Sequence, residues 1–156
     1  MTARSQTLEE IRKAHILIEH HFQNLAMENP SPCATCTSIC CKEAICRESV
    51  GSDFLRFILG SKVSEYDEKD GWLSRTSGCT LEFGRPLICY EFFCSQFSFD
   101  AKVLKLQKLS SEFKKLYANV HRRQHVLEID DLNSVPEEKW EILLNKLREF
   151  RAKNEM

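Results

Sequence analysis

A chain of 156 residues, 42% hydrophobic and 29% charged, has the length and composition of one folded domain with a modest core, which excludes a disordered or low-complexity polypeptide. A formal net charge of −1 excludes a general electrostatic attraction to nucleic acid. The departure from ordinary usage is cysteine: there are eight, five of them inside CATCTSICCKEAIC, Cys33 to Cys46.

The chain opens MTARSQTLEEIRKAHILIEHHF, charged and amphipathic, without an apolar leader segment. Nowhere does it hold the roughly 20 consecutive apolar residues that a membrane span needs. A soluble, cytoplasmic protein with no membrane partner is expected. Leu8, Ile11, His15, Ile18, Phe22 and Leu25 step by three and four, which predicts a helix over 7–27, with Thr7 and Glu10 as a capping box. His15 lies in the apolar stripe and reads as a satisfied core histidine. His20 and His21 diverge on a helix and read as exposed.

ENPSP, Glu28 to Pro32, ends that helix. Within 33–46 only KEAIC suggests a helical turn. DFLRFIL, Asp53 to Leu59, predicts a short amphipathic helix capped by Ser52 or Asp53. VSEYDEKDGWLS reads as a loop turning at Asp70–Gly71. In SGCTLEFGRPLICYEFFCSQF, two apolar runs flank Gly84–Arg85–Pro86 and suggest a small hairpin or knuckle. From Ala101 the helical period returns through Leu106, Leu109, Phe113, Leu116 and Val120, reaching Leu127. Pro136 sits where a last helix begins, with Trp140, Leu143, Leu144, Leu147 and Phe150 on its apolar face.

The expected fold class is mainly α. A single domain over 1–156 comprises an N-terminal helix (7–27), an irregular cysteine-rich metal-binding module with at most a short hairpin (33–97), and a C-terminal helical pair (101–153). The three long helices pack on the module.

The thiols are Cys33, Cys36, Cys40, Cys41, Cys46, Cys79, Cys89 and Cys94. In a reducing compartment clustered cysteines bind metal or do redox work more often than they form structural disulfides. A C-x2-C pair such as Cys33/Cys36 suits a tight knuckle whose sulfurs converge on one ion, at Zn–S distances of about 2.3 Å. Adjacent Cys40 and Cys41 point apart unless the backbone turns sharply, so they serve two centres or only one of them is a ligand. Eight sulfurs would fill two four-thiolate sites. Iron competes with zinc, because four cysteines hold an iron–sulfur cluster equally well, although neither ferredoxin spacing occurs. Cys46 is the weakest ligand candidate, since a lone buried cysteine also serves as a plain apolar side chain. A dithiol redox motif would need a βαβ context that is missing here.

CATCTSICC, followed by GCTLEFGRPLICYEFFC, resembles the YkgJ-type cysteine-cluster family of zinc- or iron-chelating proteins, named for a CxxCxxCC motif. The matching positions are Cys33, Cys36, Cys40 and Cys41, then Cys79, Arg85–Pro86, Cys89 and Cys94, over roughly residues 33–97. The chain departs from the motif in having three residues, Thr37, Ser38 and Ile39, before the Cys40–Cys41 pair. The resemblance implies a chelated metal and no defined reaction.

Arg85 has two readings: a cation that offsets the negative charge of a tetrathiolate, or a solvated residue in a turn. Residues 102–123 carry Lys102, Lys105, Lys108, Lys114, Lys115, Arg122 and Arg123 against the single acid Glu112, so a basic face could meet nucleic acid or an acidic protein. Without aromatic interleaving or a recognition helix, solvation is the simpler reading. His121 and His125 share a helix face, but the arginines between them favour a solvated basic face over metal ligation. No catalytic motif or acid–base pair is evident, and an all-cysteine metal set is closed and structural rather than catalytic.

The functional expectation is a metal-binding protein, with zinc favoured over iron or an iron–sulfur cluster. One or two tetrathiolate centres would staple the module and support a surface for a protein partner. The alternative is an iron–sulfur redox or metal-handling protein, which could act as an accessory to a protein- or peptide-modifying enzyme.

Overall fold

The computed structural model describes residues 1–26, 43–74, 78–91, 100–122 and 127–156. Their elements are helices α1 (Ala3–Ala26), α2 (Glu43–Gly51) and α3 (Asp53–Leu59), strands β1 (Leu73–Ser74) and β2 (Gly78–Cys79), and helices α4 (Ala101–Leu116) and α5 (Glu137–Lys153). Three 3₁₀ turns, Gly60–Glu65, Leu87–Tyr90 and Leu132–Ser134, complete them.

The described chain is mainly helical. α1 packs chiefly on α5, then on α4, and also on α3. The apolar faces read from the sequence meet at the centre: Ile11, Ile18 and Phe22 of α1, Leu106, Leu109 and Phe113 of α4, and Trp140, Leu143 and Leu147 of α5 are buried together. Burying side chains of this size stabilises the fold by about 1.5–3 kcal/mol each. The rings of Phe54 and Trp140 stack at 6.2 Å, and Phe113 meets Phe22 and Tyr117 edge-on at 5.5 and 5.4 Å. A second cluster gathers Cys46, Leu59, Trp72 and Leu81, with Tyr66, Leu73 and Cys79 against it.

Three local expectations need correction. α1 begins before Thr7, because Thr2 supplies the cap: its hydroxyl accepts the Ser5 N–H at 3.2 Å, while Thr7 Oγ1 donates to the Ala3 carbonyl inside the helix. Among the described residues the paired strands do not flank Gly84–Pro86; they lie earlier, with Leu73 opposite Cys79 and Ser74 opposite Gly78. After Gly84 the chain turns into Leu87–Tyr90, whose Leu87 and Tyr90 are buried at a three-residue spacing that suits a 3₁₀ turn rather than a strand. Finally, α4 stops at Leu116. Leu127 is a buried loop residue with φ of 51°, not a continuation of the helical face.

That loop is anchored on α3. Ser52 caps the helix, accepting from Leu55 N–H at 3.3 Å, and also donates to the Leu127 carbonyl at 2.9 Å. Asp53 N–H donates to Ile129 O at 2.8 Å, and Asp53 Oδ2 accepts from Leu132 N–H at 2.8 Å. At the other end of α3, Arg12 of α1 donates to the carbonyls of Phe57 and Ile58, which the helix leaves unpaired.

Candidate functional site

Among the predicted site residues, Cys46, Cys79, Cys89 and Arg85 lie within the described chain. Cys33, Cys36, Cys40, Cys41 and Cys94 lie outside it, as does His125.

Cys46 is carried by α2 and is buried in the second cluster. The chain turns tightly beside it, as expected at Asp70–Gly71. Asp67 Oδ1 accepts from the N–H groups of Lys69 and Asp70, and Gly71 N–H returns to Asp67 O at 2.8 Å. Gly71, at φ 63°, presses on the cysteine: a Cβ there would stand 2.7 Å from Cys46 Cβ. Ser49 donates to the Cys46 carbonyl at 2.7 Å and accepts from Trp72 Nε1 at 3.0 Å, which ties α2 to the hairpin. Burial pushes the Cys46 thiol up from its ordinary value, and nearby Cys79 adds to the rise. Cys46 and Cys79 are free thiols.

Arg85 is the centre of the remaining electrostatics. Its Nε and Nη2 donate to the Leu81 carbonyl at 3.0 and 2.6 Å, which folds the side chain back over its own turn. Burial alone would weaken the guanidinium's hold on its proton. Cys79, Tyr90, Cys89 and Glu19 outweigh that and raise it. Arg85 is half-buried, with its guanidinium held on its own turn.

Glu19 is completely buried on α1. Its carboxylate accepts from Gly84 N–H at 2.6 Å, Arg85 N–H at 3.0 Å and the Tyr90 hydroxyl at 2.7 Å. His15 Nε2 lies 3.3 Å from Glu19 Oε2, close enough for charge interaction but without the alignment of a hydrogen bond. Nδ1 of the same ring meets the Tyr117 hydroxyl at 2.7 Å. Burial drives the Glu19 carboxyl up. His15, the Gly84 N–H and the Tyr90 hydroxyl together overcome that and hold it below its ordinary value. The available signal for Glu19 was its four-residue spacing from His15, which places both on one helix face. His15 is the core histidine expected but only half satisfied: Nδ1 is partnered, while Nε2 has no hydrogen bond among the described residues.

The other histidines divide. His20 is exposed, whereas His21 is half-buried, and its pKa is lowered by burial and then by Lys105. His121 does not lie on a solvated face: it is half-buried, burial lowers its pKa, and neither ring nitrogen has a hydrogen-bond partner among the described residues. Of the basic segment, Lys114 pairs with Glu91 at 2.6 Å and Arg122 with Asp130 at 2.5 Å, while Lys102, Lys105, Lys108 and Lys115 are exposed.

Among the described residues, no group of three or more His, Cys, Asp or Glu side chains is arranged to hold a metal ion, and no helix is long and apolar enough to cross a membrane. Comparison of the chain with protein-family models, curated proteins and solved structures returned no match.

Proposed function

We propose that the protein binds a metal ion through its cysteines, in the manner of the YkgJ-type proteins its motifs resemble, and that the metal staples the cysteine-rich stretch to the helical bundle. The observation that carries this reading is the set of eight cysteines and their spacing, with Arg85, which lies between Cys79 and Cys89 in the sequence, half-buried and held on the Leu81 carbonyl. A neutral thiol needs no such cation, whereas a thiolate metal centre carries net negative charge that a guanidinium offsets. Cys79 and Cys89 would be ligands, with Arg85 supplying charge compensation, and the clustered Cys33, Cys36, Cys40 and Cys41 together with Cys94 would complete one or two centres. Cys46 fits less well: it is buried in an apolar cluster that favours the protonated thiol.

Thiolate donors suit zinc, the favoured ion, and also an iron–sulfur cluster. A closed zinc–tetrathiolate site has no open position for a substrate, so the reading is structural, with the helices free to present a surface to a protein partner. A cluster would instead make the protein an electron carrier or metal handler. Metal and acid-labile sulfide per chain, on protein purified without oxygen or added metal, tests the proposal. Zinc without sulfide supports the structural centre, iron with matching sulfide supports the cluster, and absence of stoichiometric metal overturns both.

A further inference from the structure

Gly84 and Arg85 present two successive backbone N–H groups to one carboxylate, with Gly84 in the left-handed region at φ 79°. Consecutive amides held this way form a concavity that binds anions. Here the anion is internal: Glu19, 65 residues earlier on α1 and completely buried. The same carboxylate takes the hydroxyl of Tyr90, the neighbour of Cys89. A single side chain of the bundle thus holds both ends of the segment from Gly84 to Tyr90, and Arg85 and Cys89 lie between those ends.

We infer that Glu19 is the positioning residue of the segment that carries Arg85 and Cys89: its carboxylate fixes the Gly84–Arg85 turn and Tyr90, and so sets where the two residues between those anchors stand. The role rests on the metal-binding reading for its purpose but not for its geometry. A buried carboxylate is a costly choice if the turn needs only a filler, because its desolvation must be offset by every donor around it. It is a fitting choice if the turn must hold a cation in place. A glutamate joined to the backbone N–H groups, and not to the guanidinium by any direct hydrogen bond, orients Arg85 while its N–H groups remain directed elsewhere.

The test is the Glu19→Gln variant, which keeps the shape but replaces one acceptor oxygen with a donor that opposes the N–H groups facing it. Iodoacetamide labelling of the protein as purified, mapped to each cysteine by peptide mass spectrometry, is compared with the wild type. Metal content is measured on the same samples. Labelling of Cys89 is expected to accelerate at least about tenfold, the effect of losing one charge-assisted hydrogen bond. Cys46, packed against Trp72 and Leu81, keeps its rate. An unchanged rate at Cys89 overturns the inference. If Glu19→Gln loses its helical circular dichroism, Glu19→Asp, with the charge kept and the carboxylate one methylene short, decides on the same criterion. A wild type without metal removes the proposed function while leaving the labelling comparison intact. A metal-loaded wild type with unaltered labelling in the variant removes the role of Glu19 alone.

Discussion

Gly84 and Leu59 are pressed together so closely that a Cβ on Gly84 would stand 2.5 Å from Leu59 Cδ2 and 2.7 Å from its Cγ. The contact joins the turn bearing Arg85 to the end of α3, and it makes glycine obligatory twice over, by space and by its φ of 79°.

Gly84→Ala is accordingly expected to destabilise the fold by about 1–3 kcal/mol through left-handed strain and overpacking. Urea unfolding measures it. Adding Leu59→Ala to the variant should relieve the clash but not the backbone strain, so partial recovery over Leu59→Ala alone is the expected pattern, and no recovery would place the whole cost in the backbone.

Tyr117→Phe removes one hydroxyl and leaves the ring packing of Phe54 and Phe113 in place. His15 Nδ1, buried at 2.7 Å from that hydroxyl, is then left without its partner. A loss of about 1–3 kcal/mol is expected. Denaturant unfolding would contradict the buried network if the variant matched the wild type within half of that range.

The depressed pKa of Glu19 makes stability depend on acid. The group binds its proton more weakly in the folded than in the unfolded chain, so its contribution is complete above the ordinary value of 4.5. It is lost as pH falls through the lower folded-state value. Glu19→Gln has no proton to gain. The gap in Tm between wild type and variant should therefore be widest near neutrality and close on acidification below pH 4.5. A gap that stays constant with pH would show that the carboxylate is not ionised in the folded protein.

Cys36→Ser and Cys46→Ser should separate in bound metal per chain. Cys36 belongs to the C-x2-C pair, whereas Cys46 sits in an apolar cluster that raises its pKa. Loss of metal from the first with near-complete retention in the second is expected. Equal loss from both would make Cys46 a ligand.

The legible parts of the fold are those that follow from local rules. Trp140, Leu143, Leu144, Leu147 and Phe150 repeat at helical spacing, and all five are buried on α5. Ser52 caps α3, and the turn at Asp70–Gly71 follows its local chemistry. What could not be read depends on distant partners. Nothing near Glu19 indicates that its acceptors are matched to N–H groups 65 residues away, and nothing near Leu127 indicates that Ser52 bends the chain at that point. Arg85 is intermediate: its neighbours in sequence allow both a turn residue and a counter-ion, and its hold on the Leu81 carbonyl depends on how the segment folds. For the cysteines, spacing gives their number and order but not which of them come together in space.

The packing of α1 against α5 has a consequence for how the protein is made. Ile11, Ile18 and Phe22 await Trp140 and Leu147, which leave the ribosome after all eight cysteines. Translation proceeds from the N-terminus, so these cysteines emerge before the hydrophobic centre can close. For that interval the thiols are on an open chain, exposed to oxidant and to any passing ion, and Glu19 has no shelter for its charge. A cysteine-rich stretch placed between two mutually dependent helices is thus chemically vulnerable at birth, and early capture of its thiols would protect it until α5 arrives.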